Sequence, residues 1–184
     1  MQGNVVQGRI HWWESNRAVP RLLNGIEAGV LGGIAMLALL VSGSLWRGDP
    51  WWLPSNLLGS TFYGARALSA GPGRATLAGG AMHIFMTGSI GGAFGLFCGG
   101  IPHRRRLVLL GTLAGLIWQG LADTLLWRNV NPLVLMYTPQ PTTLFSHALF
   151  GACLGYLRSH PRNHPAGGFS TARKEAEPAA DGLE

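Results

Sequence analysis

Five polar side chains of chemically versatile type interrupt the long apolar stretches of this sequence: Glu27, His83, Gln119, Asp123 and His147. Two imidazoles and a carboxylate can ligate zinc or iron with a coordination position left open. They can also relay protons or line a solute path, for which ionisable groups within apolar spans are the usual mark. The third option is plainer: a neutral imidazole in hydrocarbon needs a hydrogen-bond partner, and a neighbouring helix supplies one. A haem held between His83 and His147 is a variant of the metal option, although the chain has no CxxCH attachment motif. His83, Asp123, His147 and Gln119 are therefore the candidate intramembrane polar cluster. The first three are the metal candidates, and Glu27 is a separate relay group or ion-pair partner.

The elements that must carry these residues follow from composition. With 47 % hydrophobic and 12 % charged residues, the chain is too apolar to be disordered and reads as a membrane protein. A bilayer core about 30 Å thick needs roughly 20 apolar residues of helix. Four stretches qualify: about 22–46 with one charge, Glu27; 75–102 with none; 107–127 with one, Asp123; and 142–157 with none. The expected fold is all-α, a four-transmembrane-helix bundle with short interfacial helices. At 1.5 Å of rise per residue, His83 lies roughly 12 Å, His147 roughly 8 Å and Asp123 roughly 5 Å below the outer boundary. Gln119 lies one turn further in than Asp123. Glu27 sits near the opposite boundary, where it snorkels, pairs with an arginine of 104–106, or serves as a relay.

Glycine spacing predicts how the spans meet. Gly25, Gly29 and Gly33 recur every four residues on the first span, as do Gly111 and Gly115 on the third. Three overlapping pairs on the second (88/92, 91/95, 95/99) cover more than one face. They predict a central helix with two neighbours. The tight basic turn Ile101–Arg106 predicts that the second and third spans are antiparallel neighbours. The Trp- and Pro-rich outer loop 47–74 is expected to hold an amphipathic helix at about 55–69, lying on the outer leaflet and lidding the bundle. The loop 128–141, with Pro132, Pro139 and Pro141, is expected to dip toward the bilayer. Aligned on His83 and His147, the second and fourth spans both place a glycine eight residues later, Gly91 and Gly155, as a parallel duplication of two hairpins would.

The net charge of +6 is topological. Ten basic residues fall on one side: Arg9, Arg17, Arg21, Arg104, Arg105, Arg106, Arg158, Arg162, Arg173 and Lys174. Arg47, Arg66, Arg74 and Arg128 fall on the other. Basic residues stay in the cytoplasm, so both termini are predicted there, and no nucleic-acid partner is expected. Residues 1–21, with Trp12 and Trp13, suit an interfacial segment, and residues 159–184 a disordered tail. Cys98 and Cys153 read as small apolar fillers. No Walker loop, dinucleotide fingerprint, HExxH or GxSxG motif occurs, so no catalytic residue is assigned and the balance is against an enzyme.

The glycine-rich first span, the Trp/Pro outer segment, Met82-His83-Ile84-Phe85, the basic inner turn and Leu144-Phe145-Ser146-His147 together resemble the YagU-like family of bacterial inner-membrane proteins, over about residues 20–160. The resemblance implies the four-span threading, an inner-membrane location and two histidines at matching depths. It implies no activity. The leading expectation is a small structural or accessory membrane protein, associating with itself or a membrane partner, in which His83, Asp123 and His147 form a buried polar tie without a cofactor. The alternatives are a proton- or metal-linked transporter or sensor using those residues, and a haem-binding electron carrier.

Overall fold

A computed structural model describes residues 18–158, whose regular elements are all helical. The segment bearing Trp12 and Trp13 and the tail beyond residue 158 lie outside the described residues. Helix α1 runs Ala18–Trp46, α2 Leu53–Tyr63, α3 Arg66–Ser69, α4 Arg74–Cys98 and α5 Arg104–Leu121. A π-helical stretch, Ala122–Trp127, continues α5 into α6 (Arg128–Val130), followed by α7 (Pro132–Tyr137) and α8 (Gln140–Arg158). Breaks fall where backbone chemistry requires them. Gly48 and Gly64 take positive φ, 79° and 67°, after α1 and α2, and α7 opens on a proline at its first turn, where no amide donor is needed.

Three helical stretches are long and apolar enough to cross a membrane: Ala18–Trp46, Arg74–Cys98 and Arg104–Val130. The fourth, α8, has 19 residues, with Gln140, Thr142, Thr143, Ser146 and His147 crowding its first half. On the long helices the usual soluble pattern is inverted. Glycines and polar groups are buried, while Ile34, Leu77, Phe85, Phe97, Leu109 and Ile117 are exposed.

Two helix pairs are closed by glycine. Along α1 and α4, the space for a Cβ at Gly25, Gly29, Gly91 and Gly95 is already filled by the partner's backbone, and at Gly33 by the Thr87 side chain. Along α5 and α8, Gly111, Gly115, Gly151 and Gly155 do the same. The two seams correspond. Gly29 faces the carbonyl of Thr87, four residues after His83, and Gly111 faces that of Gly151, four residues after His147. Helix α1 also packs on α8, where a Cβ at Gly32 would lie 3.2 Å from the Cys153 Cβ and from the Phe150 ring. At one end of the molecule, α2 lies on the first turns of α4, with Gly59 against the Ala75 carbonyl and Gly79 against that of Ser55.

Several expectations need correction. The second span, α4, is not central: the close packing order is α4, α1, α8, α5. Its overlapping glycines form one broad face against α1, since Gly88 and Gly92 meet Val30, Ile26 and Leu22 of that helix. Nor does the basic turn bring α4 and α5 together; a short turn fixes only their ends. Further along, they meet through bulky side chains, Met82 and Met86 packing into the cluster that holds Trp118 and Trp127. The helix expected at about 55–69 is two helices broken at Gly64, and α2 is seated backbone to backbone on α4.

Candidate functional site

The separation of α4 from α5 leaves a cavity of about 90 Å³, and His83 and His147 both line it. Its walls are mostly apolar: Met36 and Leu40 of α1, Leu57 and Leu58 of α2, Met86 and Ile90 of α4, and Phe150 of α8. Trp118, Trp127 and Tyr137 add aromatic surface. A π-helical turn carries one residue more than an α-turn, so it rotates every later side chain by about 100° relative to an unbroken helix. Trp127, at the end of that stretch, is buried against Ala122 and Val134.

Each imidazole is held by one nitrogen to a backbone carbonyl. His83 Nε2 lies 2.9 Å from the carbonyl oxygen of Gly33 on α1. A carbonyl only accepts, so Nε2 carries the proton and Nδ1 the lone pair. Thr87, one turn on, donates its hydroxyl to the His83 carbonyl at 3.0 Å and fills the place of a Gly33 side chain. His147 is anchored within its own helix: Nδ1 donates to the Thr143 carbonyl at 2.9 Å, leaving the lone pair on Nε2. Thr143 in turn donates its hydroxyl to the Pro139 carbonyl at 2.9 Å. The two histidines are 5 % and 8 % exposed as whole residues. Their second nitrogens have no protein partner, yet Gln119 Oε1 is the sealed, unpartnered side-chain polar atom among the described residues. Those nitrogens therefore keep accessible surface.

The arrangement has a recognisable chemical sense. A ring whose proton is pinned to a carbonyl cannot flip its tautomer, so its other nitrogen is a fixed base. At the α2 end of the cavity Arg47 donates to Asp49 at 3.0 Å and to Ser44 Oγ at 3.4 Å, which compensates its charge.

Compared with family models, curated proteins and solved structures, the chain matches none of them. His83 and His147 share the cavity, and His147 lies within coulombic reach of both His83 and Asp123. Asp123 and Gln119 are not on the cavity wall. The four residues do not form one hydrogen-bonded tie: each histidine bonds to backbone, and Gln119, 5 % exposed, leaves its amide oxygen without a donor. Among the described residues no three His, Cys, Asp or Glu side chains converge as metal ligands. A cavity of this volume holds a few waters or a small molecule. Glu27 is half-buried on α1, away from the cavity. Thr87 and Thr143 were missed by sequence reasoning, although each stands four residues from a histidine, the spacing that places them on one helix face.

Proposed function

We propose that this chain is a four-span membrane protein, both ends cytoplasmic, whose cavity binds a small solute with proton exchange at His83 and His147. One observation carries the proposal: two imidazoles on one cavity, each with its N–H committed to a backbone carbonyl and its basic nitrogen accessible. Fixed bases in an otherwise apolar membrane interior are costly unless they serve a proton or solute path. The threading is supported by the apolar exterior of the long helices and by the ten-to-four partition of basic residues. Helix α8 counts as the fourth span because 19 residues rise about 28 Å. Its polar first half looks inward, with Ser146 and His147 buried while Leu144 and Phe145 are exposed. The likeness to YagU-like inner-membrane proteins agrees with this threading.

A structural role for His83 has its own support, because its bond to Gly33 ties α4 to α1. The two roles separate experimentally. Proteoliposomes loaded with a pH-sensitive dye are screened with small solutes, using wild type, His83→Gln and His147→Gln, and thermal unfolding is measured in parallel. The proton-exchange role requires that solute-driven pH change be lost in both variants, with His147→Gln unfolding close to the wild-type temperature. Wild-type proton movement in both variants, with unfolding lowered only in His83→Gln, would leave the histidines as packing ties.

A further inference from the structure

We infer that the solute of the cavity is a small ammonium ion or primary amine, an assignment that rests on the proton-linked role proposed above.

Three observations select that chemistry. First, the two rings and the threonines one turn from them present acceptors to the cavity side. The N–H of each imidazole is spent on Gly33 or Thr143. The hydroxyl protons of Thr87 and Thr143 are spent on the carbonyls of His83 and Pro139. His83 Nδ1, His147 Nε2 and the oxygens of Thr87 and Thr143 are left to receive hydrogen bonds, so a ligand that engages the rings must bring donors to them, while the Ser44, Tyr137, Thr138 and Thr142 hydroxyls on the same wall can donate or accept. A carboxylate or phosphate brings none, whereas R–NH3⁺ brings three. Second, the charges around the cavity favour a cation. Arg47, the charged residue on the wall, is paired with Asp49, and the Asp123 carboxylate, off the wall, lies within coulombic reach of His147. Third, Trp118, Trp127 and Tyr137 line the cavity, and aromatic rings attract ammonium through their faces. The volume of about 90 Å³ limits the ligand to a few heavy atoms. Proton exchange then balances simply: an N–H bond of R–NH3⁺ breaks, an N–H bond forms on the imidazole, the positive charge stays on the ring and R–NH2 is released.

The test is calorimetric titration of the full chain in lipid nanodiscs with methylammonium chloride, sodium acetate and tetramethylammonium chloride at constant ionic strength. Saturable one-to-one binding of methylammonium alone is expected. His147→Ala should weaken it about tenfold or more, as loss of a hydrogen bond to a charged group does. Asp123→Asn, a near-isosteric change at a partly exposed side chain, should weaken it several-fold by removing a nearby carboxylate. Acetate binding, or methylammonium heats equal to dilution, overturns the assignment. So does unchanged methylammonium affinity in both variants. Dye-loaded proteoliposomes separate the two claims. Histidine-dependent proton movement without methylammonium binding removes the amine and keeps proton exchange, while methylammonium binding without proton movement keeps the amine site and removes proton exchange.

Discussion

Gln119 and Asn56 show opposite treatments of a buried amide. Asn56 is fully buried and satisfied: Nδ2 donates to the carbonyls of Ala67 at 2.9 Å and Ala70 at 3.0 Å, and Oδ1 accepts from Thr76 Oγ1 at 2.6 Å. It thus binds α2, the α3 turn and the first turn of α4 together. Asn56→Ala removes these bonds and strands two carbonyls, so it should cost about 1–3 kcal/mol, read as a lower midpoint in a denaturant titration of the micellar protein. Gln119 has no donor for its Oε1. Replacing it with methionine, of similar shape, deletes an unsatisfied acceptor and should leave the midpoint unchanged or raise it by up to about 1 kcal/mol; a clear fall would show that the amide has an unrecognised partner. The histidines were legible in the sequence as lone ionisable residues in apolar runs. Their partners were not, because a backbone carbonyl has no residue type, and so the expected His–Asp–His tie gave way to two separate carbonyl anchors.

At the scale of elements, helix existence was legible and helix rotation was not. In a soluble helix polarity marks the outer face. Here both the lipid-facing side and much of the core are apolar, so hydropathy reports length without orientation, and glycine spacing was the remaining guide. It pointed to Gly25, Gly29 and Gly33 as one face, which meets α4. On α4 it misled about centrality, because Gly88, Gly91, Gly92 and Gly95 all meet α1, while the second glycine-lined neighbour, at Gly79, is the short helix α2 and not another long helix. The open junction between α4 and α5 had no signature, since bulky Met82, Met86 and Trp118 look like ordinary core. Glycines on the seams should therefore behave unlike those off them. Gly91→Ala and Gly115→Ala drive a methyl into partner backbone and should destabilise by about 1–3 kcal/mol. Gly80→Ala and Gly120→Ala meet nothing within 4 Å and should be neutral or stabilising by up to about 1 kcal/mol. The same denaturant titration compares all four, and equal losses would mean that the seams do not form.

For the whole molecule, the distribution of arginine and lysine predicts which ends face the cytoplasm. Alkaline phosphatase fused after residue 158 should be inactive, and fused within 47–52 active. The reverse pattern would invert the threading. The tertiary arrangement has one mechanical consequence. Two glycine-closed pairs joined along one side and propped apart by side chains on the other leave a cavity that is eliminated on unfolding. Hydrostatic pressure should therefore unfold this protein readily, with a volume decrease on the order of tens of mL/mol. Any molecule that occupies the space, or a larger side chain at Met86, should make it less compressible and more resistant to pressure.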